Sequence, residues 1–328
     1  MRDRRRDPSR ILRLLAVATV AVLLSVACRP AGDGDGSSDR SRPAPAPRPT
    51  RPPGGASITV EPGVPTAETY RPRRPAKVVF SSGPGVLDAD RAFVETTVQQ
   101  ARRFFRSAYG PVLRGRIHVS VHASLDDVVG EFARRLAIPV WVARLRWKTA
   151  AALTARGPTP QATQVFFLLP RWGGGDAAMR AKVVFHEWFH VLQYQVPPPN
   201  LTEVDPDEPP RWLFEGSAEW WGLRAATALG WYPSFEAVQA GQRGIASLTD
   251  APLGTLRYTV EEAGAPGYAL SFTAMDLLVD RTGARSVARF WRTLPRASGV
   301  TEAFEDAFGT TLSAFHREFA RSREAGYS

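Results

Sequence analysis

The 328-residue chain has a single cysteine, Cys28, so neither an intrachain disulfide framework nor a cysteine-based zinc site can form. Lysine is almost as scarce: of the 42 basic residues only Lys77, Lys148 and Lys182 are not arginine. That preference, with abundant Ala and Pro, matches the coding bias of a GC-rich bacterial genome. No apolar run reaches the ~20 residues a helix needs to cross a bilayer, which excludes a multispan membrane protein. The chain has no internal repeat, and the Gly173–Gly175 run lacks the Gly-Lys-Ser/Thr of a phosphate loop, so no nucleotide site is inferred. A broad basic face is missing too, although the formal net charge is +10. Residues 1–27 carry +4 of it and residues 28–75 another +3, leaving +3 for the 253 residues from Ala76 onward. So small a surplus does not make a phosphate-binding surface, and no nucleic-acid partner is expected.

What is present begins with an address. Met1 to Arg13 is basic, and the fourteen residues Leu14–Ala27 are apolar and end in small side chains. This is the layout of a secretory signal over residues 1–27. Cys28 follows at once, in Leu24-Ser25-Val26-Ala27-Cys28. The arrangement resembles the bacterial lipoprotein signal, although Ser25 stands where that signal usually has Leu, Val or Ile. The resemblance implies lipidation of Cys28 and attachment to the outer face of the cytoplasmic membrane, within the bacterial cell envelope. Residues 29–75 hold eleven Pro and six Gly. Such a composition cannot bury enough surface to offset ordering entropy, so residues 28–75 are expected to form a lipid-bearing, disordered tether.

A folded body is expected over residues 76–328, mixed in its first half and helical in its second. Val78–Phe80 reads as a short strand, and Asp88–Tyr109 has the 3.6-residue apolar period of a helix. Ile117–Val121 alternates like a half-buried strand, with His118 and His122 on the face away from Ile117, Val119 and Val121. Ser124 and Asp127 form a capping pattern for a helix running to Leu136. Gln164–Leu169 reads as a strand and Ala177–Gln195 as a long helix. Further helices are expected over Arg211–Leu229, Tyr268–Arg281, Ala284–Leu294, Thr301–Phe308 and Thr311–Glu324.

The long helix carries His186-Glu187-Trp188-Phe189-His190. Histidines at i and i+4 stand on one helix face, so both imidazoles reach a single metal ion. Glu187 lies about 100° round from His186, placed to contact a water without ligating. A core helix with two hydrogen-bonded histidines would show the same spacing. A zinc hydrolase also needs a third protein ligand and an open fourth position. Downstream stands Trp212-Leu213-Phe214-Glu215-Gly216-Ser217-Ala218-Glu219-Trp220. The two motifs together resemble the gluzincin zinc metallopeptidases, particularly the bacterial peptidase-MA-like group. The likeness extends loosely over residues 78–320.

The resemblance implies an α+β zincin-like fold: a small mixed β-sheet and active-site helix, followed by a mainly helical lobe. It makes Glu215 the third ligand of Zn2+, beside His186 and His190. Glu187 becomes the general base, and Gln164–Leu169 the edge strand on which an extended peptide lies. Tyr268 becomes a stabiliser of the oxyanion. Glu219, one turn beyond Glu215, is placed to accept the second N–H of a metal-bound histidine. Three acids between the motifs, Asp205, Asp207 and Glu208, sit among prolines and are expected to be solvated. His118 and His122, about 13 Å apart along a strand, cannot chelate one ion and are expected to face solvent or an interface. His316 is expected on the surface, and Trp188, Trp212, Trp220 and Trp221 in the core. The expected activity is that of a membrane-anchored extracytoplasmic peptidase acting on a peptide or protein substrate. A zinc hydrolase of cell-wall peptides and a non-catalytic zinc-binding lipoprotein are the alternatives.

Overall fold

Lys77–Ser82 (β1), Arg116–His122 (β2), Ala152–Arg156 (β3) and Ala162–Leu168 (β4) form one mixed sheet in the order β1-β2-β4-β3. The computed structural model describes residues 76–109, 113, 115–157, 162–172, 176–195, 209–257 and 264–326. Cys28, the signal and the tether lie outside the described residues, as do Gly173–Gly175, Asp205, Asp207 and Glu208. β1, β2 and β4 are parallel, and β3 runs antiparallel to β4 with Thr154 opposite Val165. Asp88–Tyr109 (α1) makes the crossover from β1 to β2. Leu125–Leu136 (α2) and Val140–Arg146 (α3) lead from β2 to β3.

Strand alternation divides the core in two. Ile117, Val119 and Val121 of β2, with Val165 and Phe167 of β4, point into the main core. There they meet Val94, Val98, Ala101 and Phe105 of α1, whose spacing of three and four places them on one helix face. Phe166, Leu168 and Leu153 point the other way, against Val128, Val129 and Phe132 of α2 and Trp147 beyond α3. Ser124 caps α2, its hydroxyl oxygen accepting from the Asp127 amide at 3.2 Å. The rest of the chain is helical: Ala177–Gln195 (α4), Arg211–Ala228 (α5), Phe235–Ala246 (α6), Gly264–Thr282 (α7), Arg285–Thr293 (α8), Val300–Phe308 (α9) and Leu312–Glu324 (α10). Trp188, Trp212, Trp220 and Trp221 are all buried. No helix of the described residues is long and apolar enough to cross a membrane.

Four readings of the sequence require correction. β4, the strand before α4, is interior, because β3 pairs with its outer side and takes the edge next to α4. The β3 sequence Ala-Leu-Thr-Ala-Arg has only one bulky apolar residue and weak strand propensity, so it escapes a pattern search. His122 is 1% exposed, because α2 covers the second face of β2, and its ring stacks on Phe166. His316 is half-buried against Trp212. Tyr268 lies in the second turn of α7, which begins at Gly264. The helices α3 and α6 have no counterpart in the sequence reading. α6 does carry a signal, the cap at Ser234 accepting from the Ala237 amide at 3.1 Å.

Two glycines set how closely the motif helices approach. A Cβ at Gly216 of α5 would stand 2.4 Å from the Ser271 carbonyl oxygen of α7. A Cβ at Gly222 would stand 3.1 Å from the backbone nitrogen of His186 on α4. α5 is therefore held between α4 and α7 by backbone-to-backbone proximity at both crossings. Gly216→Ala is expected to lower the unfolding free energy by about 1–3 kcal/mol through overpacking. Thermal denaturation beside the exposed control Leu248→Ser checks this; equal melting temperatures would refute the close crossing.

Candidate metal centre

Inside α4, the i, i+4 spacing brings His186 and His190 onto the face turned to α5, with their rings 4.7 Å apart. Their Nε2 atoms are 3.0 Å apart. Glu215 rises from the first turns of α5 between them, its Oε2 lying 3.3 Å from His186 Nε2 and 3.4 Å from His190 Nε2. All three residues are buried. Three donors at 2.0–2.1 Å from one tetrahedral ion would stand about 3.3 Å from each other, so the observed triangle has the edges of such a site.

The hydrogen bonds around the rings decide what the triangle can bind. His186 Nδ1 lies 2.9 Å from Glu219 Oε2, an acceptor, so Nδ1 carries the proton. His190 Nδ1 lies 2.6 Å from Gln193 Oε1. The amide of Gln193 is oriented by its Nε2 donating to the Phe214 carbonyl at 2.9 Å, which leaves its oxygen to accept from His190. When both rings are neutral, each turns an Nε2 lone pair toward Glu215. Glu215 Oε2 in turn accepts no hydrogen bond among the described residues. In that state three buried lone-pair atoms converge, and a metal cation satisfies all three together, where a proton on His186 Nε2 satisfies them only in part. His186, His190 and Glu215 form a site that can hold a metal ion.

Charges behind the triangle keep the carboxylates ionised. Arg211, one turn before Glu215, donates to Glu215 Oε1 at 3.1 Å. Lys182, one turn before His186, reaches Glu219 Oε1 at 2.6 Å. Burial pushes the Glu215 carboxyl up, but His190, Arg211 and His186 hold it well below the usual carboxylate range. Burial likewise opposes ionisation of Glu219, yet Lys182 and His186 hold it at about 2. Burial alone would lower the His186 imidazole, and Glu215 and Glu219 instead raise it to about 9. Without a metal ion, His186 thus holds a second proton at the atom a metal would take.

The remaining residues frame this cluster. Glu187 is buried beside it, and Thr154 of the edge strand donates to Glu187 Oε2 at 2.7 Å. The Tyr268 ring from α7 stands 6.1 Å from the His186 ring. Phe214 stacks on His190 at 4.6 Å and closes the side toward Tyr194. The structure thus brings His186, Glu187, His190, Glu215, Glu219 and Tyr268 into one region. Lys182, Gln193 and Arg211 were not singled out from sequence, although each lies three or four residues from a ligand on the same helix. Nothing in the sequence marks Thr154. No family model matches the chain, and no curated protein and no solved structure match it either.

Two predictions follow from the charge arrangement. His186 is raised above the ~6.5 of an unfolded chain, so its proton stabilises the metal-free fold fully below pH ~6.5 and is lost as pH rises through about 9. A divalent ion competes with that proton. Binding at pH 7 should release about one proton, and affinity should rise roughly tenfold per pH unit up to about 9. Titration calorimetry in buffers of different ionisation enthalpy measures both; a pH-independent affinity would rule out the competition. In the second, Glu219→Gln and Gln193→Ala should each weaken metal binding by about 10–100-fold while leaving the fold intact. Competition with a chelating dye, read beside circular dichroism, gives the affinity ratio.

Proposed function

We propose that the protein is a zinc-dependent peptidase of zincin-like fold, secreted across the bacterial cytoplasmic membrane and anchored to its outer face through Cys28. The observation that carries the reading is the convergence of the metal-ligating atoms of His186, His190 and Glu215 beside a buried carboxylate that is not one of them. A structural metal site needs no general base, yet Glu187 is buried next to His186 and held by a hydroxyl from the edge strand. The set of two imidazoles and one carboxylate matches the donors of catalytic zinc sites that keep one position open. The identity of the metal and the peptide substrate both belong to this proposal.

When bound, zinc supplies Lewis-acid chemistry, lowering the pKa of a water molecule toward neutrality and polarising a carbonyl oxygen. The protein's own residues do the rest. His186 and His190 keep their Nε2 lone pairs available because Glu219 and Gln193 hold the protons on Nδ1. Glu187 takes a proton at its carboxylate from the attacking water and passes it to the leaving amine nitrogen. Thr154 donates to Glu187 Oε2, which fixes that oxygen and leaves Oε1 to move the proton. Tyr268, packed against the His186 ring, is assigned to the oxyanion of the tetrahedral intermediate. A substrate strand adding to the outer side of β3 would bring its backbone past Thr154 and Glu187.

The test begins with metal content by plasma mass spectrometry, for the wild type and for Glu215→Ala. About one zinc per chain is expected, lost or much weakened in the variant. Glu187→Gln should retain zinc and lose peptide cleavage by about 10²–10⁴-fold. An intact protein that takes up no zinc even when supplied would end the hydrolase reading. Full activity in Glu187→Gln would remove Glu187 as the base, and zinc binding without cleavage of any peptide in a mixed library would favour the non-catalytic alternative.

A further inference from the structure

The short helix α3 is inverted with respect to the rest of the molecule. Val142, Ala143 and the following Trp147 and Ala150 turn inward, the last three against Phe132, Phe166 and other core residues. The face at positions i, i+1, i+4 and i+5 turns outward, and it consists of Val140, Trp141, Arg144 and Leu145. Val140 is 56% exposed, Trp141 65% and Leu145 44%. The other large hydrophobic residues with such exposure among those described are Leu87, Met179 and Leu248, each alone on its own segment. Scattered apolar residues need no explanation, but three on one seven-residue helix form a contiguous patch.

Beside the patch stand three exposed basic side chains and one exposed carboxylate, that of Asp126. Lys148, two residues beyond the end of α3, is exposed. Arg144 is exposed and paired with Asp126 at 2.6 Å. Arg134, 72% exposed on the adjoining α2, lies 3.9 Å from Glu131. An indole flanked by branched aliphatic residues and basic side chains is the chemistry of the headgroup boundary of an anionic bilayer. There Trp rests with one edge apolar and one wet, and Arg and Lys meet the phosphates.

We propose that the outer face of α3, with Val140, Trp141 and Leu145 at its centre and Arg134, Arg144 and Lys148 around it, docks on the surface of an anionic membrane. α3 leads directly into β3, the edge strand that holds Glu187 through Thr154. Docking would therefore fix the orientation of that edge relative to the bilayer. The acyl anchor expected at Cys28 would only keep the body nearby. Of the proposed function, the inference uses only the location at a membrane, and neither metal nor turnover enters its test.

The test uses the full chain with vesicles of equimolar phosphatidylcholine and phosphatidylglycerol, read by amide hydrogen exchange over residues 140–150 and by co-sedimentation. The expected result is slower exchange in α3 on the vesicles, with the protection reduced about tenfold in Trp141→Ser and in Val140→Asp and weakened by high salt. Both positions are exposed, so the variants should melt with the wild type. A double variant, Arg134→Gln with Lys148→Gln, should lose the preference for anionic over purely zwitterionic vesicles. Unchanged exchange in α3 would overturn the proposal, whether the chain sediments through its N-terminal segment or fails to sediment at all. Protection without vesicles that grows with protein concentration would also overturn it, because a second copy would then cover the face. Either failure would leave the metal and cleavage measurements as they stand.

Discussion

Two imidazole nitrogens and one carboxylate oxygen stand within 3.4 Å of one another in a buried part of the protein. Such a triangle repels itself unless a positive charge joins it, and burial amplifies that demand by removing the water that would screen it. Much of the surrounding structure answers to this constraint. Glu219 and Gln193 pin the ring protons on the far side of each histidine, so the near-side Nε2 is the atom left for a metal ion, or for a second proton on His186, to take. Arg211 and Lys182 occupy the outer oxygens of the two glutamates, so each carboxylate turns its other oxygen inward, toward the histidines. Each is one helical turn from the ligand it serves or from the histidine beside it. The centre is thus assembled mostly within two helices.

Holding those helices at the required distance is a separate problem, solved by missing side chains. Glu215 and Glu219 reach His186 because α5 lies close to α4, and that closeness depends on the bare backbone at Gly222. Gly216, next to the ligand Glu215, permits the same approach on the opposite side, against Ser271 of α7. α7 also brings Tyr268 to the His186 ring. The glycine beside Glu215 therefore acts through packing, because a Cβ there would meet the Ser271 backbone of α7.

The sheet contributes in a different way. Its two central strands, β2 and β4, are largely buried on both faces, between α1 and α4 on one side and α2 on the other. β3 alone reverses direction and lies at the side where α4 runs past, with Thr154 directed at Glu187. The hydroxyl of one strand residue thus ties the sheet to the carboxylate that does the proposed proton transfer. α3 precedes β3 in the chain, so the apolar surface of that short helix and the edge of the site are separated by only five residues.

Local sequence determined more of this molecule than its isolated motifs suggest. The limits of α1 follow from its apolar period, which a helix of about twenty residues repeats often enough to be read, and the start of α4 follows from the glycine turn and Asp176 before it. The pairing of His186 with His190 follows from helix geometry alone, since three and four residues always bring side chains together. Elements of five to seven residues with mixed composition, such as β3 and α3, repeat no pattern long enough to detect, and only packing stabilises them. Contacts between segments were equally out of reach. That β3 rather than β4 forms the edge, that His122 is buried beneath α2, and that Thr154 meets Glu187 depend on strand order, which single-chain periodicity does not encode. The sequence by itself determined which side chains can carry metal chemistry, because residue type and helical spacing are local properties. Only the tertiary structure decided which lone pairs face one another and which surface stays uncovered, because these depend on distances between segments far apart in the chain.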